Sequence, residues 1–179
     1  MDRNSKGLAT TVGIVAAIGV SLLATLAVLN RRDQFVGLNQ EIQYDDFAFS
    51  VQEVRKTDSL GSGEYKSKPH GLYYIITLRI ANHAKRVDYR FKYQSARLVD
   101  VEEKEFGLSL AGQQALESAT GKRCVDPIPA GASCVTEVVF DLPSGSELKQ
   151  FRVSEGGLVG DILNAIFYGK KRIELGSIQ

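Results

Sequence analysis

Leu72-Tyr73-Tyr74-Ile75-Ile76-Thr77-Leu78-Arg79-Ile80, followed by Ala81-Asn82-His83, decides the fold. Tyr74, Ile76, Leu78 and Ile80 fall on one face of an extended chain, and Tyr73, Ile75, Thr77 and Arg79 on the other, which is the two-residue period of a strand. Aromatic and β-branched residues fill the segment and suit a pleated, half-buried surface. Asn82 and His83 end it. The same period recurs on both sides. Upstream, Phe47, Phe49 and Val51 alternate with Ala48, Ser50 and Gln52. The stretch from Thr57 to His70 carries Asp58, Ser59, Gly61, Ser62, Gly63 and Pro69 and reads as a loop. Downstream, Tyr89, Phe91 and Tyr93 alternate with Arg90 and Lys92, and Ala96, Leu98 and Asp100 continue that strand or its neighbour. Phe106 to Leu110 is a shorter strand. Cys134 to Leu142 is a long one, with Thr136, Val138 and Phe140 set against Val135, Glu137 and Val139, and with Pro143 as its stop. Leu148 to Val153 and Ile173 to Leu175 complete the set. Ile76, Leu78, Val138 and Phe140 are expected to face inward from central strands. About seven strands with turn signals between them predict a mainly β fold, an antiparallel two-sheet sandwich.

Two segments break the period. Ala115, Leu116 and Ala119 allow one helical turn or two within Gln113 to Thr120. Near 161–168, Asp161 is a good N-cap, and Ile162, Leu163, Ile166 and Phe167 recur at helical spacing, which predicts a short helical insertion.

Ahead of the sandwich, Leu8 to Leu29 is one apolar run without a charged residue. Its helical length of about 33 Å, at about 1.5 Å per residue, matches a hydrocarbon core of about 30 Å. The expected organisation is a short cytoplasmic tail (1–7), a transmembrane helix (8–29), a linker (30–40) and a sandwich (41–176). A cleaved signal peptide is the competing reading, but its apolar region is usually shorter. Within the run, Ala9, Gly13, Ala17, Ser21 and Thr25 recur every four residues, a stripe through which two anchors could self-associate. Arg3 and Lys6 on one side, against Arg31, Arg32 and Asp33 on the other, lean toward the N-terminus inside. Cys124 and Cys134 flank a turn-rich Asp126-Pro127-Ile128-Pro129-Ala130-Gly131. A local disulfide there would place the domain outside, in the periplasm or the extracellular space; two unrelated buried thiols are the alternative.

The segments Ile76 to Asn82, Leu98-Val99-Asp100, Pro129-Ala130-Gly131 and Val138-Val139-Phe140-Asp141-Leu142-Pro143 occur in an order and spacing with a precedent. The stretch from about Ile42 to Leu175 resembles a bacterial and archaeal family of immunoglobulin-like domains of unknown function, found on lipoproteins and membrane-anchored surface proteins. The resemblance implies an immunoglobulin-like sandwich outside the cytoplasm and implies no reaction. The chain departs from the family in having an apolar run where a lipid-anchor cysteine would stand, and in the helix-like insertion.

Catalytic chemistry finds little support. The two histidines, His70 in a Pro-Gly loop and His83 at a strand end, read as exposed loop imidazoles and make a poor metal site. No Gly-x-Ser-x-Gly elbow occurs, and Ser62 is a loop tip. Glu102, Glu103 and Glu105 read as a solvated edge. No enzyme activity, cofactor or metal is expected. From Asp33 onward 18 basic residues face 20 acidic ones, which is not the balance of a nucleic-acid binder. Between Arg79 and Arg97, however, six basic residues stand against Asp88 alone. Lys85, Arg86, Arg90, Lys92 and Arg97 are a candidate surface for an anionic envelope component or a protein partner; protection of a strand edge is the competing reading. The expected function is a membrane-anchored, extracytoplasmic, non-catalytic binding or assembly module. The alternative is a structural accessory subunit of a larger membrane complex, docked through its anchor and the 161–168 helix.

Overall fold

The computed structural model describes residues 21, 25, 33–120, 124, 127–153 and 171–176. The strands are β1 (Gln34–Val36), β2 (Ile42–Tyr44), β3 (Phe47–Thr57), β4 (Leu72–Asn82), β5 (Ala96–Asp100), β6 (Glu105–Phe106), β7 (Ser133–Leu142), β8 (Leu148–Val153) and β9 (Lys171–Glu174), with a helix α1 (Leu110–Thr120) between β6 and β7. They form two sheets, ordered β2-β3-β4-β7 and β1-β9-β8-β5-β6. β1 runs parallel to β9, and the other pairs are antiparallel. The fold is a mainly β, two-sheet sandwich.

The core lies between the sheets. β4 supplies Tyr74, Ile76, Leu78 and Ile80, β7 supplies Val138, Phe140 and Leu142, and β3 supplies Phe49 and Val51. They meet Leu98 of β5, Phe151 of β8 and Ile173 of β9, all buried. Ile76, Leu78, Val138 and Phe140 therefore face inward, as their period requires.

Part of the outer face of the β3–β4–β7 sheet, over β4 and β7, is also covered, and here the structure holds more than the period alone predicts. Tyr73, Ile75 and Val139 pack under Leu116 of α1 as a second apolar cluster. The ambiguous segment is thus a helix of 11 residues that begins at Leu110. It displaces the strand expected over Phe106 to Leu110, which is reduced to β6 and one bridge from Leu108 to Phe140. Close approach is possible because Gly112 faces the sheet. A Cβ there would lie 2.7 Å from Val139 Cγ1 and 2.8 Å from Tyr73 Cε1. Gly112→Ala should lift α1 and destabilise the domain by about 1–3 kcal/mol, the range for overpacking, although alanine favours helix. A denaturant midpoint no lower than wild type would show that the helix seat has slack.

α1 also shields the free edge of β7. The Gln113 side-chain amide donates to Glu137 O at 3.0 Å and accepts from Val139 N at 3.0 Å, while Ser109 N donates to Val139 O at 2.8 Å. A neutral amide thus occupies backbone groups that would otherwise recruit another strand.

Two further segments differ from expectation. Gln34–Val36, read as linker, is strand β1. Tyr89 to Tyr93, read as an alternating strand, belong to no ladder: only Tyr89 bridges, to Ile128, and Tyr93 opens a short 3-10 turn. The 161–168 insertion and most of the 8–29 run lie outside the described residues. Ser21 and Thr25 are helical, with the Thr25 hydroxyl donating to Ser21 O at 2.8 Å. Among the described residues no helix is long and apolar enough to cross a membrane.

The registers define two ends. At the proximal end, where the chain arrives from residue 33, Gln34 pairs with Lys171, Ala96 with Val153, Phe47 with Asn82 and Ala81 with Ser133. Tyr44 Oη ties the sheets together there by donating to Lys171 O at 2.9 Å. At the distal end Leu72 pairs with Leu142 and Asp100 with Leu148, and Tyr74 Oη donates to Ser146 O at 2.8 Å.

Candidate functional site

Four of the five candidate cations gather on one loop, between β4 and β5, at the proximal end. Lys85, Arg86, Arg90 and Lys92 are exposed. Apart from the single bridge from Tyr89 to Ile128 the loop pairs with no strand, so its shape comes largely from side chains. Asn82, buried at the end of β4, donates through Nδ2 to Val87 O at 2.8 Å and Ile128 O at 3.0 Å, and accepts from Ala84 N at 3.0 Å. Three aromatics then plug the loop into the open end of the sandwich. Tyr89 stacks on Phe47 with ring centroids 4.0 Å apart, Phe91 packs against Phe49 and Tyr93, and the Tyr93 hydroxyl meets Thr136 Oγ1 at 2.7 Å. Backbone bonds in both directions between Tyr89 and Ile128 complete the clamp.

With aromatics inward, Arg90 and Lys92 point out, as their alternation suggested. They guard no strand edge, however, because this segment is not a strand. The side chains of Lys85, Arg86 and Lys92 take part in no hydrogen bond or ion pair among the described residues. Arg97 stands apart: it lies on β5, and its guanidinium folds back onto the carbonyls of Gln94 and Ala96. Cys124 and Cys134 are joined in a disulfide with Cα atoms 5.6 Å apart, pinning the Pro129–Gly131 turn that abuts Asn82.

Most other charges are committed to structure. Glu137, buried on β7, is bonded by Arg55, and Arg79 by Glu41. Two members of the acidic run are paired too: Glu103 with Lys149 and Glu105 with Arg152. Lys171 donates to Gln43 O and lies over the Tyr44 ring; burial pulls its pKa below the usual lysine value, while Asp45 nearby pulls the other way.

A second group of side chains gathers at the distal end. His70, Leu108, Ser109, Asp141 and Ser144 line a cleft of about 520 Å³. Asp141 accepts from His70 N at 3.0 Å, from Gly71 N at 3.5 Å, and meets His70 Nδ1 at 2.8 Å. Ser109 Oγ is engaged by Gly112 N at 3.3 Å, so this hydroxyl serves as the cap of α1. The Asp141 carboxylate anchors the start of β4. Gly71 is needed there because a Cβ would lie 2.3 Å from Leu142 O. Partial burial alone would raise the Asp141 pKa, but the His70 and Gly71 donors outweigh it and hold the pKa below the usual aspartate value. A depressed carboxylate adds stability above its unfolded pKa of about 3.9 and loses it as pH falls through the folded value. Unfolding midpoints measured between about pH 5 and pH 2.5 should fall less steeply for Asp141→Asn than for wild type. Parallel slopes would mean the bonds to Asp141 carry no free energy.

No three His, Cys, Asp or Glu side chains converge as a metal site would require, among the described residues. The roles of Asn82 and Asp141 were not visible in the sequence as chemistry. The available signal was positional: Asn82 ends a long strand, and Asp141 lies two residues before the strand-stopping Pro143.

The motifs that suggested a family now have structural tasks: Asn82 clamps the basic loop, Asp100 caps the turn after β5 by accepting from Glu102 N and Lys104 N, Gly131 turns into β7, and Asp141 holds Gly71. The profile of the family described as Domain of unknown function (DUF4352) matches residues 36–161. The chain belongs to that family. Its fold is similar to that of a secreted protein from Mycobacterium tuberculosis, MPT63, at 12% identity and a TM-score of 0.56, over 80% of this chain and 98% of that one. It is also similar to a conserved hypothetical protein from Bacillus anthracis, at 13% identity and a TM-score of 0.54, over 66% of this chain and 89% of that one. No curated protein matches the chain. At these identities the likeness is one of fold.

Proposed function

We propose that this DUF4352 protein is a single-pass membrane protein, N-terminus inside, that holds one immunoglobulin-like sandwich outside the cytoplasmic membrane as a non-catalytic binding module. The observation that carries the compartment is the Cys124–Cys134 bridge, since a structural disulfide persists where thiols are not continuously reduced. The charge-free run from Leu8 to Leu29 supplies the anchor, and the secreted nature of the similar mycobacterial protein agrees with an outer location. Binding is favoured over catalysis by how the charges are used. Acids and bases elsewhere in the domain are largely spent on structural pairs, whereas Lys85, Arg86 and Lys92 are held outward on a clamped loop.

The test is a mass measurement on protein taken from its native compartment, with free thiols blocked at lysis. The expected result is a chain two hydrogens lighter than the reduced form, with neither Cys124 nor Cys134 alkylated. Full alkylation of both would contradict the oxidising location.

A further inference from the structure

We propose that the Lys85–Lys92 loop is a docking surface for anionic phospholipid headgroups of the same bilayer that holds the protein's own anchor. The proposal rests on the anchored reading above and deepens it by naming the partner. It starts from chain geometry. β1 begins at Gln34, and only residues 30–33 separate it from the end of the apolar run at Leu29. Five steps of about 3.4 Å reach at most about 17 Å. The end of the sandwich that contains Gln34 is therefore kept within that distance of the membrane surface.

The β4–β5 loop is at that same end. β4 reaches it at Asn82, opposite Phe47, and β5 leaves it at Ala96, opposite Val153, while Gln34 pairs with Lys171. The cations are thus carried on the face turned to the bilayer, with the distal cleft on the opposite one. Acids share this end and must be counted. Asp88 lies within the loop, Asp45 is offset by Lys171, and Asp33 and Arg90 each have an interaction of their own. Asp46 adjoins the loop through its carbonyl, which accepts from His83 N at 2.8 Å. Lys85, Arg86, Arg90 and Lys92 still leave the loop clearly positive.

An apolar contact accompanies the charge. Val87, between Arg86 and Asp88, is 61% exposed. Basic side chains around a projecting apolar one are what a headgroup layer accommodates: ammonium and guanidinium groups at the phosphates, and the aliphatic residue just below them. Asn82 and the three plugged aromatics hold the loop in place before any contact, so little ordering is required on docking.

The experiment uses the full chain reconstituted into phosphatidylcholine vesicles and into phosphatidylcholine–phosphatidylglycerol vesicles. Flotation in about 1 M salt, where the Debye length is about 3 Å, reads the anchor alone. Amine acetylation followed by mass spectrometry reads each lysine. Lys85 and Lys92 should be modified about fivefold more slowly in anionic than in neutral vesicles, the scale of one basic residue's attraction to an anionic surface, and high salt should abolish the difference. Lys66, Lys68 and Lys104, exposed at the distal end, serve as controls and should not change. A chain that floats in both lipids but shows equal rates at Lys85 and Lys92 overturns lipid docking and leaves the anchor intact. A chain that does not float in high salt overturns the anchor and the docking with it.

Discussion

Phe140→Ala should lower the unfolding free energy by roughly 3–5 kcal/mol, the range for removing a buried aromatic ring. Phe140 lies on β7 opposite Tyr74 and is wholly buried. Its ring meets Phe151 of the other sheet edge-on at 6.3 Å, and its backbone bridges to Leu108. The residue thus joins both sheets and the segment that leads into α1. Little can collapse into the space left by the ring, because each neighbour is held in its own ladder, so the loss should lie in the upper half of that range. Equilibrium denaturation monitored by tyrosine fluorescence would give the value. A cost below about 1 kcal/mol would place the ring outside the core and shift the register of β7 by one residue, since a single slip exchanges the two faces.

Removing the bridge by Cys124→Ala together with Cys134→Ala should cost roughly 2.5–3 kcal/mol, from the loop-closure entropy of a short loop. The cysteines are ten positions apart. The loss should be seen as a lower midpoint in urea with a slope no smaller than wild type, since the unbridged denatured chain is less compact while the native contacts of Ile128 with Tyr89 are retained. Reduced wild type should match the double variant. If both retain wild-type stability, the bridge is dispensable to the fold, and its presence would need another reason.

The sandwich was legible because strand faces write themselves into a chain with a period of two. Tyr74 to Ile80 and Thr136 to Phe140 could be assigned a buried face from alternation alone. α1 was only half legible, because its buried side rests on Gly112, Gln113, Ala115 and Leu116. Glycine and glutamine carry no apolar signal, although one allows close contact and the other seals the edge of β7. The basic loop was legible as charge and misread as structure. Tyr89, Phe91 and Tyr93 alternate with Arg90 and Lys92 as in a strand, but the aromatics are held by stacking and by Asn82, not by a ladder. The short β1 was missed because three residues carry no measurable period and its partner, β9, is more than a hundred residues away. The pairing of His70 with Asp141 was out of reach for the same reason: local patterns do not report contacts across the chain.

The most direct test of the account is protease accessibility of the full-length protein in intact cells, or in spheroplasts where an outer membrane is present. An extracytoplasmic sandwich held by residues 8–29 predicts that added protease attacks the chain beyond Asp33 while a cytoplasmic marker stays intact. The 57–70 loop and the linker near residue 33 should be cut first, and a small membrane-bound remnant should be left. Full protection of the domain until the cytoplasmic membrane is broken would contradict both its orientation and the compartment inferred from Cys124 and Cys134.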